Sequence, residues 1–185
     1  MKNLIYILII AVSIASCNNM ADQSAKKSET ANKDRVAQFY EKVVNAHNVD
    51  MIDSFCTADF VNHNPSMNHA GKGSDDLKAE FKEFFAGFPD IKMTPDFMFA
   101  EGDKVAVHYI MTGTNSGSMG PNMPATGKTI NIEGIDLLQI KDGKATDRWG
   151  FGDDMKMMTQ LGMMPPPGAP PAPPAEPMKM EEKKK

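Results

Sequence analysis

The period of the hydrophobic pattern changes at Pro89, and this change limits the possible folds more than any other feature of the chain. Before Pro89, apolar residues recur at three- and four-residue spacings, which is typical of helices with one buried face. After Pro89 they alternate with polar residues, which is typical of strands. Helices followed by a run of strands predict an α+β domain in which the helices cover one face of an antiparallel sheet.

Three helices are predicted before Pro89. The first ends at Asn48, the second runs from Met51 to Phe55 with Asp50 as its N-cap, and the third runs from Asp75 to Ala86 with Ser74 as its N-cap. The apolar face of the first helix consists of Val36, Phe39, Tyr40, Val43, Val44 and His47.

Four strands and a last helix are predicted after Pro89. We expect the sheet to curve, and together with the helices to enclose an apolar cone that is open at one end. Asp142-Gly143 is typical of a tight hairpin turn. The four strands are Ile91 to Ala100, Lys104 to Thr114, Thr129 to Ile140 and Ala145 to Phe151, and the last helix runs from Asp154 to Leu161 and ends at Gly162.

The first residues have the layout of a secretory signal peptide. An apolar run, Leu4 to Val12, follows Lys2 and ends in small residues before Cys17. The run is shorter than the roughly 20 residues that cross a bilayer. Its end, Ile-Ala-Ser-Cys, resembles a bacterial lipobox, which implies cleavage after residue 16 and lipidation of Cys17. We therefore expect a lipid-anchored protein of the bacterial cell envelope, at the outer membrane or the periplasmic face. An ordinary signal peptide with a coincidental cysteine is the alternative.

The composition divides the rest of the chain into three parts. Residues 17–33 are polar and without a period, which predicts a flexible tether. Residues 34–164 form the folded domain, and the proline-rich, charged residues 165–185 are predicted to be a disordered tail. The net charge is −4, and no stripe of basic and aromatic residues is present, so nucleic acid is not an expected partner.

A series of short motifs in a fixed order identifies a family resemblance. The motifs are Phe60 to Pro65, Phe88-Pro89-Asp90, Thr126-Gly127-Lys128, Gly134, Ile140 to Lys144, Asp147 to Trp149 and Gln160-Leu161-Gly162. Their order and spacing resemble the SnoaL-like polyketide cyclases, or ester cyclases, from Asp34 to Met164. The resemblance implies the cone-shaped fold of the nuclear transport factor two-like superfamily, a pocket for a hydrophobic small molecule, and by analogy a possible homodimer.

The resemblance also implies a cofactor-free reaction, but the transfer of its catalytic residues is incomplete. Characterised cyclases of the family close a ring by aldol condensation, with an aspartate on the last strand as general acid and base and a histidine on the preceding strand as its assistant. Aligning Asp142-Gly143-Lys144 and Gln160-Leu161-Gly162 without a gap places the aspartate at Gly150 and the histidine at Asp136. A glycine cannot transfer a proton, so this chain lacks the family's catalytic aspartate at that position.

Asp136 and His63 are the remaining catalytic candidates, with Asp136 as a displaced carboxylate on its strand. Three of the pocket candidates also have a structural interpretation: a hydrogen-bonded core or interface histidine at His108, a helix cap at Asp153, and core packing at Trp149. Asp147 and Arg148 are expected to face solvent or to pair locally. The residues predicted to line the pocket are Asn62, His108, Trp149 and Asp153.

No metal site or cofactor is predicted. His63 and His69 with Asp75 or Asp76 offer metal ligands near one loop, but their spacing matches no ligand motif. The methionines near the last helix could bind Cu(I), but flexible apolar packing is the simpler explanation and the one we adopt.

Three functional hypotheses follow from the sequence. The first is an enzyme that performs acid–base chemistry on a hydrophobic carbonyl compound with Asp136 and His63. The second is a non-catalytic module that binds a small molecule or a partner in the same cone. The third is an envelope scaffold whose proline-rich tail recruits another protein.

Overall fold

The computed structural model describes residues 22–66, 69–120, 123–165 and 168. The first helix, α1, covers residues 22–39 and continues as a π-helical turn at Tyr40–Val44. A 3-10 turn at Val49–Met51 leads into the short helix α2, Ile52–Phe55. The longer helices α3 and α4 cover Gly73–Gly87 and Asp154–Leu161.

Five strands form one mixed sheet. They are β1, Cys56–Asn62; β2, Lys92–Glu101; β3, Lys104–Thr114; β4, Thr129–Lys141; and β5, Lys144–Gly152. Their order in the sheet is β1-β5-β4-β3-β2. Strands β2 to β5 pair antiparallel, as the alternating pattern predicts, whereas β1 pairs parallel with β5. The sheet is curved and unclosed. Together with the helices it confirms the predicted α+β class.

The helices cover one face of the sheet, which we call the inner face. On β3 it carries Val105, Val107, Tyr109 and Met111, and each of these side chains is buried. The opposite face, the outer face, is largely open to solvent. Phe97, Phe99, Ile135 and Phe151 are at least half exposed there.

The Asp142-Gly143 hairpin and the last helix agree with their predictions. Asp142 and Gly143 both have positive φ angles, 51° and 74°, as a type I′ turn requires. Helix α4 ends at Gly162, which has the left-handed conformation that closes many helices.

Three predictions of local structure were wrong. Residues 22–33, predicted to be part of a flexible tether, are helical. Ser74 lies inside α3 and donates a hydrogen bond to Asp53 Oδ1 rather than capping the helix. Asp50 makes no side-chain cap, because the chain enters α2 through a 3-10 turn.

Several predictions concern residues outside the described part of the chain. These include the signal peptide, Cys17 and nearly all of the proline-rich tail. No helix among the described residues is both long and apolar enough to cross a membrane.

Candidate functional site

A buried ion pair lies on the inner face where β4 meets β5. The side chain of Asp136 is 8% exposed, and its Oδ1 lies 2.7 Å from Arg148 Nη2. Its other oxygen, Oδ2, accepts a hydrogen bond of 2.5 Å from the Tyr40 hydroxyl of the π-helical turn. The carboxylate is therefore fixed from one side by a strand residue and from the other by a helix residue.

Gly150 makes room for the guanidinium of Arg148. It lies directly opposite Asp136 in the register of β4 and β5. A Cβ built on Gly150 would lie only 2.2 Å from Arg148 Nη2. The guanidinium thus occupies the space of the side chain that Gly150 lacks. Of the two placements predicted for Arg148, the one that faces solvent was wrong, because the missing side chain allows Arg148 to fold inward and pair with Asp136.

Asn62 connects this ion pair to helix α3. Arg148 Nη1 donates a hydrogen bond of 3.2 Å to Asn62 Oδ1, and Asn62 Nδ2 donates one of 3.0 Å to Glu80 Oε2. Asn62 is buried at the end of β1, which pairs with β5 and so brings it beside Arg148. Among the residues predicted to line the pocket, Asn62 is the one linked to Asp136, because both contact Arg148.

The electrostatics of the site keep its phenols neutral and its arginine charged. Burial, reinforced by the charge of Asp136, raises the pKa of Tyr40 well above its ordinary value. The same two causes raise the pKa of Tyr109 to about 12. Burial disfavours the charged form of Arg148, but Asp136 outweighs it and raises the pKa of the guanidinium. The site therefore presents one carboxylate surrounded by hydrogen-bond donors.

His63 lies on the outer face, away from Asp136. Its Nε2 is 2.9 Å from Asp147 Oδ1, and its ring stacks on Trp149 with centroids 4.3 Å apart. Asp147 and Trp149 pair with Gln139 and Leu137, which alternate with Asp136 along β4 and point the other way. The structure does not bring the two catalytic candidates together.

Three of the predicted pocket residues also lie away from the ion pair. His108 is on the outer face of β3, stacked on Phe97 and within 3.5 Å of Asp96 and Glu133. Asp153 is exposed and caps α4, because its Oδ1 accepts a hydrogen bond from Lys156 N. Trp149 is on the outer face with His63. Strand alternation separates these side chains from the interior.

The inner face beside Asp136 is packed with side chains. Two cavities among the described residues have volumes of about 370 Å³ and 20 Å³, and neither is lined by Asp136, Arg148 or Tyr40. The larger lies between α1 and the two hairpin turns. The inner face at Asp136 is instead filled by the side chains of Tyr40, Tyr109 and Arg148.

The histidines considered as metal ligands are engaged with carboxylates. His69 lies between Asp76 and Glu83, at 3.3 and 3.1 Å, and His63 contacts Asp147. In the part of the chain that the structure describes, no group of three or more His, Cys, Asp or Glu side chains is arranged to hold a metal ion.

Sequence reasoning did not identify Tyr40, Tyr109 or Arg148 as parts of the site. Tyr40 and Tyr109 follow apolar patterns and were interpreted as core residues alone. The signal for Arg148 is the glycine two residues later on the same strand, since alternation puts both on one face. When a glycine leaves space on the inner face of a strand, a long basic side chain two residues away is a candidate to occupy that space.

Comparisons with known proteins agree with the fold. The profile of the family described as SnoaL-like polyketide cyclase matches residues 34–161. The structure of TsrD from Streptomyces laurentii is 21% identical with a TM-score of 0.65, over 74% of this chain and 98% of that one. A structure assigned as a SnoaL-like polyketide cyclase from Jannaschia sp. CCS1 is 25% identical with a TM-score of 0.65, over 74% and 95%.

A third solved structure has the same fold. IdmH from Streptomyces antibioticus, a candidate polyketide cyclase, is 24% identical with a TM-score of 0.62, over 71% of this chain and 98% of that one. The comparison with curated protein sequences gives no match.

Proposed function

Since the chain belongs to the SnoaL-like polyketide cyclase family, we propose that it performs cofactor-free acid–base chemistry on a hydrophobic carbonyl compound at Asp136. Membership of the family supports a role like that of a cyclase or isomerase. Asp136 is the inner-face carboxylate of the strand pair in which the family's acid and its assistant are expected, directly opposite Gly150. His63, on the other face, has no part in this proposal.

The observation that carries the proposal is one buried carboxylate that pairs with the guanidinium of Arg148 and accepts a hydrogen bond from the Tyr40 hydroxyl. Asp136 removes a proton from the carbon next to a carbonyl group, and the electron pair of the broken C–H bond moves onto the carbonyl oxygen as an enolate. Arg148 donates hydrogen bonds to that oxygen as its charge develops. In a cyclisation the enolate carbon attacks a second carbonyl, and Asp136 returns its proton to the new alkoxide.

Arg148 is suited to the binding of the substrate oxygen. A guanidinium has five N–H donors, and Asp136 and Asn62 engage one nitrogen each. Its side chain is 24% exposed, against 8% for Asp136, so Arg148 is the member of the pair that an incoming molecule meets first. Tyr40, which is 2% exposed, holds the carboxylate in place through its hydrogen bond to Asp136 Oδ2.

The test begins with mass spectrometry of the small molecules that co-purify with the mature chain carrying Cys17→Ser. The reaction is then measured by NMR in deuterated water. The substrate is the co-purified compound or β-tetralone, and the measured quantity is the rate at which protons next to its carbonyl group exchange for deuterium. Asp136→Asn is expected to lower the catalysed rate at least 100-fold, as loss of a general base does. The matched control is Asp59→Asn, which alters an exposed carboxylate on β1.

The outcome decides between catalysis and its absence. An unchanged rate in Asp136→Asn contradicts the assignment of Asp136 as the base. Binding without exchange in the wild type favours the second candidate, a non-catalytic binding module. That candidate is supported by one observation: Arg148 neutralises the carboxylate and fills the position that Gly150 vacates.

We further propose that the protein is exported and anchored to the cell envelope through lipid on Cys17, a position outside the described residues. The support is the lipobox-like sequence alone. Metabolic labelling with an alkyne fatty acid is expected to label the wild type and a Cys56→Ala variant. Cys17→Ser is expected to lose both the label and the membrane association. Labelling that survives in Cys17→Ser contradicts the proposal.

A homodimer through the outer face is the proposed assembly. Phe97, Phe99, Ile135 and Phe151 are 50 to 68% exposed on neighbouring strands. With about 150–250 Å² per aromatic side chain, they expose roughly 400 Å² of apolar surface. A patch of this size on a soluble domain commonly marks an interaction site, and a second copy of the chain offers the same patch in return.

A further inference from the structure

The start of α1 is fastened to two hairpin turns of the sheet. Glu29 Oε1 accepts a hydrogen bond of 3.1 Å from Gly102 N, and Asn32 Nδ2 donates one of 3.3 Å to Gly102 O. One turn of helix later, Arg35 Nε donates a hydrogen bond of 3.0 Å to Gly143 O, and its Nη2 donates to Ser54 O. These contacts tie the helix to the β2–β3 turn and to the β4–β5 turn.

The helix runs along the sheet from these turns toward its other end. At the far end of the helical segment, Asn45 Nδ2 donates a hydrogen bond of 2.9 Å to Met93 O, near the beginning of β2. Asp22 precedes Glu29 by seven residues, which at 1.5 Å per residue is about 10 Å of helix. The first turns of α1 therefore lie beside the hairpin turns, where Ala25 and Ser28 line a cleft with Gly102 and Gly143.

The two ends of the sheet are far apart. The turns at Gly102 and Gly143 lie at one end, which we call the turn end. The connection between β3 and β4, which begins at Asn115, lies at the opposite end because the strands are antiparallel. An eleven-residue strand such as β3 is about 37 Å long. A surface that touches one end thus lies well away from the other.

We propose that the turn end faces the membrane surface, held there by α1 acting as a rigid stalk. The proposal rests on the lipidation of Cys17 proposed above. Four residues separate Cys17 from Asp22, and the five links between them span at most about 18 Å. The partner is the headgroup layer of the bilayer in which the lipid on Cys17 is inserted.

Charge does not supply this orientation. Around the turn end, Lys104 and Lys141 are balanced by Asp103 and Asp142. Juxtamembrane basic clusters attract anionic lipids, but a balanced surface has no such preference. The orientation comes from the covalent anchor and the docked helix, so it is expected in neutral vesicles and at high salt alike.

The test uses the lipidated mature protein in phosphatidylcholine vesicles that contain headgroup spin-labelled phosphatidylcholine. A fluorophore is attached at Lys141→Cys, at the turn end, or at Ser116→Cys, at the opposite end; both positions are exposed. Cys56 is buried and burial raises the pKa of its thiol to about 12, so it does not compete for the label. Quenching is expected to be at least threefold stronger at position 141 than at 116, at low and at high salt. Equal quenching, or stronger quenching at 116, overturns the proposal.

A second variant tests the role of the docked helix. Glu29→Ala with Asn32→Ala removes both side-chain contacts to Gly102, and the difference between the two labelled positions is expected to shrink. If the difference in quenching between positions 141 and 116 is unchanged in this variant, the proposal that α1 acts as a stalk is refuted. Flotation with the vesicles tests the lipid anchor separately from the orientation. Protein that does not float refutes both the lipid anchor and the orientation. Protein that floats but shows equal quenching at the two positions refutes the orientation alone.

Discussion

At the scale of single residues, Gly150 and Arg148 depend on each other. The guanidinium lies where a Cβ at position 150 would be, so we expect Gly150→Ala to push Arg148 away from Asp136. Overpacking of this kind costs about 1–3 kcal/mol of unfolding free energy. Urea denaturation measures it, and Gly152→Ala is the matched control because its Cβ meets no atom closer than 3.4 Å. Equal stability of the two variants would show that Arg148 is not confined by Gly150.

The Arg148 position also explains why the candidate site could be predicted only in part. The motif alignment put Asp136 and Gly150 at the family's two catalytic positions, and the structure places these two residues opposite each other in the sheet. The partners of Asp136 come from distant parts of the chain, because Tyr40 lies 96 residues away in sequence. A pattern within one strand carries no information on which helix side chain reaches it. His63 shows the same limit, since one residue of register decides which face it joins.

At the scale of elements, the sequence predicts those that depend on local rules. The hairpin at Asp142-Gly143 and the cap of α4 follow from turn and capping chemistry. Strand β1 was missed because its seven residues include polar positions and its pairing with β5 is parallel and non-local. The start of α1 was missed because it has no apolar period, although its Ala, Lys, Gln and Glu residues favour helices.

The attachment of the 69–72 segment to α3 depends on a charged histidine. The His69 ring nitrogens lie 3.3 and 3.1 Å from Asp76 and Glu83, and only the protonated ring donates to both. Burial opposes the charge, but the hydrogen bonds to Glu83 and Asp76 and the charge of Glu80 outweigh it and raise the pKa of His69.

A pH dependence of stability follows from this shift. Because the folded-state pKa is raised, the contribution of His69 is complete below its unfolded pKa of about 6.5 and is lost as pH rises through the folded value. We expect His69→Gln to destabilise the domain more at pH 5.5 than at pH 8.5, as measured by urea denaturation at each pH. The same loss at both values would mean that the ring contributes no charge.

At the scale of the whole molecule, the outer face decides the assembly. Replacing Phe99, which is 68% exposed, by lysine puts a charge into the proposed interface. Light scattering of the non-lipidated mature chain is expected to give a dimer for the wild type and a monomer for Phe99→Lys. Thr129→Lys, on the same face but at the end of β4, is the control and should remain dimeric. A monomeric wild type would refute the dimer.

The packing of the inner face limits how a substrate can reach Asp136. Tyr40, Tyr109 and Arg148 pack around Asp136, whose side chain is 8% exposed, so a substrate must displace side chains to reach the carboxylate. Arg148, as the more exposed member of the pair, is the side chain that such a molecule contacts first. The function proposed for the protein thus depends on Arg148 being both paired with Asp136 and available to a ligand.

Nitrogen-15 NMR of the arginine side chains tests this most directly, because Arg35 and Arg148 are the only arginines of the chain. In the free wild type we expect slow hydrogen exchange at the Arg148 guanidinium and fast exchange in Asp136→Asn. Adding the co-purified compound is expected to shift the Arg148 signals and leave those of Arg35 in place. Rapid exchange at Arg148 in the wild type, with no shift on addition of the compound, would contradict the account.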